Sequence, residues 1–258
     1  MSPRIVTARS VRRAAEVAIA GAAFVVAWKL VVIAGAYPTF ILPPPEDVAG
    51  RFVTAWTDGT MADHAVTTLL EVVLGFAIGS VLAIATGYLL ARSKLVERVL
   101  SPYLVAAQAT PVLALAPLIA LWFGTGLLGK VVICTLIVFF PVAVSTMVGI
   151  RAVDRRLIEM ARSLRATRWQ LVRSIEVPAA LPSIMGGLRV GVTLAVVGAI
   201  IGEWAGGEKG LGVLINLARG SLFDTPLLFA TLLTVALLGV ALYLVVVLVE
   251  RRLVGARG

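Results

Sequence analysis

Ionisable side chains within apolar segments are the residues of this sequence with the clearest potential for chemistry. Lys29 and Glu71 each lie inside a long apolar run, and Glu203 lies at the end of another. A charge at the centre of a bilayer costs about 2.5–3.5 kcal/mol, so such residues pair, face the bundle interior or serve an ion pathway. Lys29 and Glu71 fall at similar depths, which predicts an ion pair, unless each extends to the membrane interface instead. Glu203 could line a solute pathway, although a solvated helix end is the favoured interpretation.

Metal and covalent chemistry have few candidate residues. His64 is the single histidine and Cys134 the single cysteine, so the sequence indicates neither a zinc site nor a disulfide within the chain. Cys134 lies in the apolar run VVICTLIVFF, where a small buried hydrophobic residue is the expected role. The sequence has no H-E-x-x-H motif, no pair of intramembrane aspartates and no Ser–His pair. An intramembrane enzyme is therefore not indicated.

Membrane-spanning helices must position these residues. The chain has 258 residues, of which 60% are hydrophobic and 14% are charged, whereas a soluble domain is usually about 25% charged. Five apolar runs reach the roughly 20 residues that cross a hydrocarbon core. A sixth contains three prolines and is interpreted as a kinked helix that faces the bundle interior. The predicted fold class is all-α, a polytopic membrane bundle of six transmembrane helices at about 15–36, 66–91, 101–123, 130–150, 183–204 and 226–249.

Positive charge is distributed unevenly between the two sides of this bundle. Six spans place both termini on one side, and that side carries 18 of the 23 lysines and arginines. Because basic loops stay in the cytoplasm, the sequence predicts that both termini are cytoplasmic. The net charge of +9 thus has a topological reason, and nucleic acid is not predicted as a partner. The tripeptide AGA at 34–36 resembles a signal-peptidase site, but the apolar run before it is too long for a signal peptide.

Small residues recur at every fourth position in two of the predicted spans. This spacing lets helices approach one another closely in lipid, and it predicts a tightly packed bundle. The residues are Gly75, Gly79, Ala83 and Gly87 in the second span, and Gly187, Gly191, Gly198 and Gly202 in the fifth.

One long polar segment, EMARSLRATRWQLVRSIEVPAALP at 159–182, interrupts the apolar second half of the chain. A capping box of Thr167 and Gln170 predicts that a helix begins at Arg168, and Pro178 is expected to end it. The segment is therefore predicted to form two short amphipathic helices with a break near 165–166. Such helices could lie on lipid headgroups or bind in a groove of another protein. Helical spacing predicts one apolar face, formed by Leu157, Ala161, Leu164, Leu171 and Ile175.

The same segment resembles the cytoplasmic EAA loop of ABC importer permeases. The pattern of that loop is E-A-A, three residues, G, nine residues, and I-x-L-P. Here Glu159-Met160-Ala161 is followed after three residues by Arg165, and after nine more by Ile175-Glu176-Val177-Pro178. The spacing is kept, with departures at Met160, Arg165 and Val177. Further stretches that resemble the family are TPVLALAPLIALWFGTG (110–126), GIRAVDRRLIE (149–159), PAALPSIMGGLR (178–189) and GEWAGGEKGLG (202–212), so the resemblance covers about residues 60–252.

The resemblance implies a type I ABC importer permease fold in the inner or plasma membrane of a prokaryote. It implies a second permease copy, most simply as a homodimer, two cytoplasmic ATPase subunits, and an extracytoplasmic solute-binding protein. No cofactor is expected in this chain, because it lacks the G-x-x-x-x-G-K-[ST] motif and ATP would bind the partner ATPase. The branch it resembles serves nitrate, taurine, alkylsulfonates, and pyrimidine or flavin vitamin precursors, and similarity in GEWAGGEKGLG and TPLLFATLL favours the vitamin precursors.

The resemblance also implies a division of the chain. Residues 1–60 would hold the first transmembrane helix and an external proline-rich connection, 61–252 the transmembrane core, and 253–258 a cytoplasmic tail. A coupling loop at about 151–182 would bind in a cleft of the ATPase. The residues implied in that contact are Glu159, Met160, Ala161, Leu164, Arg165, Ala166, Ile175 and Pro178.

Arg165 occupies the position that glycine holds in the family pattern. Glycine suits a helix end with positive φ, whereas arginine in that conformation costs roughly 1 kcal/mol. Either the break uses another backbone geometry here, or Arg165 gains a contact on the ATPase. The second explanation is the one predicted.

An ion-coupled secondary transporter is the alternative function. Such a protein needs charged or polar residues near the middle of the membrane, and here these are essentially Lys29 and Glu71. That mechanism would leave the long cytoplasmic segment without a role. The sequence therefore favours the importer permease.

Overall fold

A computed structural model describes residues 3–255, which are helical apart from short connections and contain no β-strand. By their internal contacts the residues fall into two compact units. One comprises the chain up to Thr60 with Ile215–Leu232, and the other comprises Met61–Leu214 with the residues from Leu233 onward. The helices are α1 (Pro3–Gly35), α2 (Pro45–Thr57), α3 (Thr60–Arg92), α4 (Lys94–Ala109), α5 (Val112–Phe123), α6 (Leu127–Arg151), α7 (Arg155–Ser163), α8 (Arg168–Leu171), α9 (Val177–Trp204), α10 (Leu211–Arg219) and α11 (Thr225–Val254), and a π-turn (Val172–Glu176) joins α8 to α9.

Five helical stretches are long and apolar enough to cross a membrane, and each matches a predicted span. The sixth predicted span, 101–123, differs from the prediction: it consists of two helices, α4 and α5, bent by 98°. Thr110 and Pro111 are both extended at the bend, because proline excludes the helical conformation from the residue before it. Counting this pair as one span gives the predicted six. The other five are Ala15–Gly35, Thr60–Arg92, Leu127–Arg151, Arg168–Trp204 and Thr225–Leu253.

The first unit contains a helix that the sequence analysis missed. The proline-rich connection between the first two spans includes α2, which has proline in its first turn together with Glu46 and Asp47. Proline fits the first turn of a helix, and acidic residues there favour the helix dipole. Within this unit Arg51 Nε of α2 lies 2.7 Å from Asp224 Oδ2, so α2 is fixed by an ion pair that spans most of the chain in sequence.

The second unit is built around α6, which packs against both α3 and α9. Its core is made of small and β-branched residues, and Cys134 lies fully buried within it, as the sequence predicts. Because neighbouring apolar side chains in lipid gain little from the hydrophobic effect, close packing of small residues drives such contacts. The core residues are Val72, Ala83, Cys134, Val138, Val142, Ala143, Ala195, Val196 and Ala199.

The predicted glycine contacts are confirmed in this unit. A Cβ atom added to Gly79 of α3 would lie 3.0 Å from the carbonyl oxygen of Thr135, and one added to Gly198 of α9 would lie 3.0 Å from Cα of Cys134. Both neighbours belong to the backbone of α6, which cannot yield as a flexible side chain can. The glycines on α3 and α9 therefore set the closest approach of both helices to α6.

Replacing Gly87 with alanine is expected to destabilise the folded protein by about 1–3 kcal/mol, the usual cost of overpacking. The new Cβ would overlap the carbonyl oxygen of Ala143 and lie 2.8 Å from Cβ of Thr146. The measurement is the midpoint of thermal unfolding of the purified protein. Gly239→Ala is the matched control, because a Cβ there meets nothing within 4 Å. Equal midpoints for the two variants would contradict the proposed packing.

Candidate functional site

The break in the polar segment lies at Arg165, which adopts a left-handed conformation with φ of 57°. Its N–H donates to the carbonyl of Arg162 at 2.9 Å, and the N–H of Ala166 donates to the carbonyl of Ala161 at 3.0 Å. These bonds satisfy the last carbonyl groups of α7, as at many helix ends. The predicted break near 165–166 is confirmed. The explanation that the break uses another backbone geometry is therefore wrong, because Arg165 adopts the left-handed conformation that glycine favours.

The helix after the break begins with the predicted capping box. The N–H of Gln170 donates to Thr167 Oγ1 at 3.3 Å, and the N–H of Thr167 donates to Gln170 Oε1 at 2.7 Å. Each of these bonds satisfies a backbone donor that a helix start leaves unpaired. The other short helix is capped as well, because Asp154 Oδ1 accepts from the N–H of Arg156 at 2.9 Å.

The prediction that Pro178 ends the second short helix is wrong. From α8 the chain passes through the π-turn Val172–Glu176 directly into α9, so that Arg168–Trp204 is continuous. Pro178 lies in the first turn of α9. A proline is tolerated there because it lacks only an N–H group, and the wider π-turn shifts the hydrogen bonds just before it.

Residues of the polar segment lie on two different sides, so the prediction of one apolar face is wrong. Ala161 and Leu171 are buried, whereas Leu164 is 77% exposed. The left-handed residue at 165 changes the direction of the chain, and periodicity therefore does not carry across it. Of the predicted coupling residues, Glu159, Met160, Leu164 and Arg165 are exposed, Ala161 is buried, and Ala166, Ile175 and Pro178 are half-buried.

The exposed side of the segment is apolar as well as basic. Met160 is 57% exposed and Leu164 is 77% exposed, and Arg162 lies between them in the sequence. Trp169, which is 68% exposed, belongs to the same segment and was missed by the sequence analysis. A tryptophan directly after Arg168 in a polar segment is a signal that could have identified it, because tryptophan and arginine are enriched where proteins bind one another.

The predicted ion pair between Lys29 and Glu71 is wrong, because each residue has a different partner. Lys29 Nζ lies 3.1 Å from Oε1 of Glu46 at the start of α2. The backbone N–H of Glu46 and the ammonium group of Lys29 both donate hydrogen bonds to the Glu46 carboxylate. These bonds hold the pKa of Glu46 below its usual value. The sequence indicated only an external proline-rich connection in this part of the chain, so Glu46 was not considered as a partner of Lys29.

Glu71 instead forms a buried ion pair with Lys130 of α6. Lys130 Nζ lies 2.7 Å from Glu71 Oε1 and also donates to the carbonyl oxygen of Lys209 at 2.9 Å. Both side chains are almost completely buried. A buried charge is stable only when it is paired and hydrogen-bonded, and the second oxygen of Glu71 has no hydrogen-bond partner in the described part of the chain. Among the described residues, Lys130 is thus the one cation that holds the Glu71 carboxylate.

Glu203 is buried, which corrects the favoured interpretation of a solvated helix end. Its Oε1 accepts a hydrogen bond from Thr68 Oγ1 at 2.6 Å, and its Oε2 accepts one from the N–H of Gly212. Thr68 Oγ1 accepts in turn from the N–H of Leu211 at 2.8 Å. The carboxylate of α9 and the hydroxyl of α3 therefore bind the first N–H groups of α10, which a helix start leaves without partners.

The loop between α9 and α10 is also bound to the start of α3. His64 Nδ1 lies 2.7 Å from the carbonyl oxygen and 3.1 Å from the backbone nitrogen of Gly210. At the exposed edge, Lys209 Nζ lies 2.7 Å from Asp63 Oδ2. Together with the hydrogen bonds of Lys130 and Glu203, these contacts connect residues 205–212 to α3, α6 and α9.

A third buried carboxylate lies at the opposite end of α3. Glu176, in the π-turn, is buried and forms an ion pair with Arg92 Nη2. Tyr88 donates to Glu176 Oε2 at 3.3 Å, and the Arg92 guanidinium lies 5.9 Å from the centre of the Tyr88 ring. The sequence analysis missed this group. It connects the end of a membrane-spanning helix to the polar segment.

Comparison with known proteins identifies relatives that match most of the chain. Residues 64–255 match the family described as binding-protein-dependent transport system inner membrane component. The riboflavin transport system permease protein RibX of Chloroflexus aurantiacus is 47% identical over 227 residues, which cover 88% of this chain and 84% of that protein. The formylaminopyrimidine transport permease protein ThiX of Halalkalibacterium halodurans is 37% identical over 201 residues, covering 78% of this chain and 80% of that protein.

Among solved structures, the chain is similar to an inward-facing form of the MetNI methionine ABC transporter. The TM-score is 0.64 at 20% sequence identity, and the match covers 72% of this chain and 93% of that one. At 20% identity, this similarity supports the fold alone.

Proposed function

The chain belongs to the family of binding-protein-dependent transport system inner membrane components, and on this premise we propose that two copies of it form the solute pathway of an ATP-driven importer. It is a permease of the ABC transporters, with the type I importer fold that the sequence predicts. The chain is a multi-pass protein of the inner membrane. The ATPase subunits and the solute-binding protein are separate chains that assemble with it.

The exposed polar segment is the observation that carries the coupling part of this proposal. Exposed apolar side chains lie on this basic side of the protein, at Met160, Leu164 and Trp169. Large exposed apolar residues rimmed by charge are typical of a protein-binding surface. We therefore assign residues 151–182, within a transmembrane core of 61–252, to contact with the ATPase. Arginines around these residues complement an acidic cleft and steer its approach.

The same charge distribution supports an orientation. The polar segment and the charges that end the spans on its side hold most of the lysines and arginines, and such loops stay in the cytoplasm. Both termini lie on that side when α4 and α5 count as one span. The loop at 205–212 then faces outward, where the solute-binding protein delivers its cargo.

The transported solute is proposed to be a flavin or pyrimidine precursor of a vitamin. The support is the identity with RibX and ThiX, whose names specify riboflavin and formylaminopyrimidine. The experiment is a titration of the partner solute-binding protein with riboflavin, formylaminopyrimidine and taurine, followed by ATP-dependent uptake into proteoliposomes that contain the complete transporter. Binding of taurine alone would refute the vitamin assignment, and uptake without ATP would refute the importer.

Replacing Arg165 with glycine separates local strain from partner contact. Glycine adopts the observed positive φ without steric cost, so the folded protein should gain about 1 kcal/mol. Loss of the guanidinium should nevertheless weaken association with the ATPase severalfold. Thermal unfolding measures the first effect, and co-purification of the ATPase measures the second. In Arg165→Asn the positive φ is still tolerated and the charge is lost, so it should match glycine in binding. Unchanged association and transport in both variants would contradict the contact.

A further inference from the structure

A basic cavity of about 370 Å³ lies beside the π-turn, at the end of α3. Ligand cavities in proteins usually measure roughly 300–1,000 Å³, so this one could hold a small polar group. A neighbouring cavity of about 240 Å³ shares Arg92 and Arg162 with it and adds Arg155 and Glu159. We call the two together the arginine pocket. The lining of the larger cavity is Tyr88, Arg92, Arg162, Arg168, Leu171 and Val172.

The arginine pocket has more positive charge than its own carboxylates can balance. Four guanidinium groups line it, and the carboxylates nearby are Glu159 in its wall and Glu176, which pairs with Arg92. Among the described residues, Arg155, Arg162 and Arg168 form no ion pair. Guanidinium groups that line one cavity without a carboxylate partner repel one another unless an anion lies between them. The pocket is therefore built for an anionic ligand.

The chemistry of the lining favours a phosphate group. Guanidinium forks bind phosphate oxygens through paired hydrogen bonds, more specifically than a lysine ammonium does. The rest of the wall is Tyr88, Leu171 and Val172, which suits a ligand with an apolar part. The apolar run predicted at 66–91 ends directly before Arg92, and this places the pocket near the level of the lipid headgroups, where basic pockets bind anionic lipids.

We propose that the arginine pocket binds a phosphate group at the membrane surface, carried by an anionic phospholipid headgroup or taken as free phosphate from solution. Arg162 and Arg168, on either side of the break at Arg165, hold its oxygens, and Arg92 connects it to α3. Because Arg162 belongs to α7 and Arg168 to α8, the bound group bridges the two halves of the polar segment. This site lies within the polar segment assigned to the ATPase and shares Glu159 with that contact, but its lining does not include the exposed apolar residues Met160, Leu164 and Trp169.

The test uses the full transporter, purified with its ATPase and reconstituted with three parts phosphatidylcholine to one part phosphatidylglycerol. Native mass spectrometry measures the phosphatidylglycerol retained after extraction, and equilibrium dialysis measures binding of radiolabelled inorganic phosphate. In R162Q/R168Q, retention should fall roughly thirty-fold, since each arginine near a headgroup contributes about a factor of five. R156Q/R173Q is the matched control. It removes the same charge from the same segment, outside the pocket, and it should retain phosphatidylglycerol and phosphate as the wild type does.

The outcomes distinguish the ligand sources. Loss of phosphatidylglycerol in the pocket variant alone supports a lipid headgroup, and loss of phosphate binding alone supports free phosphate. Equal losses in R162Q/R168Q and R156Q/R173Q would overturn the proposal in favour of a diffuse basic surface. The proposal would also be overturned if the wild-type protein bound neither probe. It would be overturned as well if R162Q/R168Q released the ATPase but kept both probes, because the pocket would then hold an acidic side chain of the ATPase. R162K/R168K keeps the charge without the fork and gives an intermediate loss, so the test stands even if the glutamine variant does not fold.

Discussion

Replacing Lys130 with methionine is expected to lower the free energy of unfolding by about 3–5 kcal/mol, because it leaves a buried charge without its partner. Glu71 would lose its ion-pair partner, and the carbonyl of Lys209 would lose its donor. Glu203 lies in the same buried cluster, so the remaining charge there would be negative. We therefore expect both low stability and a displaced loop at 205–212.

The midpoint of thermal unfolding, followed by tryptophan fluorescence, measures this effect. Lys29→Met is the matched control, because Lys29 also lies in an apolar span but its ion pair is half exposed, and exposed pairs contribute little. The double variant Glu71→Gln/Lys130→Met removes both charges and should recover most of the loss, since replacing a whole buried pair is often nearly neutral. If Lys130→Met unfolds at the same temperature as Lys29→Met, the buried pair is not what holds this end of the protein.

Replacing Leu164 with glutamate is expected to weaken association with the ATPase roughly 30-fold or more, as for a residue at the centre of an interface. Leu164 is 77% exposed at the break of the coupling segment, so the change should leave the folded permease as stable as the wild type. A carboxylate there would replace an apolar contact and would also repel an acidic cleft. ATP-dependent transport should fall in proportion, while solute binding to the solute-binding protein is unchanged.

Co-purification of the ATPase with the permease measures the association. Leu95→Glu is the matched control, because Leu95 is another leucine, 71% exposed, near the start of α4 and outside the polar segment. It should keep the ATPase. Should Leu164→Glu retain the ATPase as well as Leu95→Glu does, the exposed side of the segment binds something else, such as the lipid headgroups.

Features of this fold that depend on neighbouring residues could be predicted from the sequence. The spans follow from runs of apolar residues, and the capping box of Thr167 and Gln170 follows from a four-residue pattern. The break at Arg165 was also visible, because the spacing of the EAA pattern marks it. The glycines at every fourth position predicted close helix contacts, since a residue without a side chain lets any neighbouring helix approach closely.

Features that depend on the rotation of one helix against another could not be predicted. Glu71 had three lysines within reach, at positions 29, 130 and 209, and only the arrangement of α3 beside α6 selects Lys130. Burial of Glu203 likewise results from the chain returning over it at 210–212. Pro178 was misjudged for a related reason, because the π-turn that accommodates it leaves no mark in the pattern of apolar residues.

The uninterrupted course of the chain from Arg168 to Trp204 has a mechanical consequence. These 37 residues measure about 55 Å at 1.5 Å per residue, which exceeds the roughly 30 Å of a hydrocarbon core. One end starts at the break of the polar segment, and the other carries the Glu203 carboxylate that anchors the start of α10. Movement of the polar segment by the ATPase would therefore be transmitted along this stretch to Glu203 and the loop at 205–212. The glycines of α9, which pack against α6, would act as the pivot. The π-turn lies close to the end that would contact the ATPase.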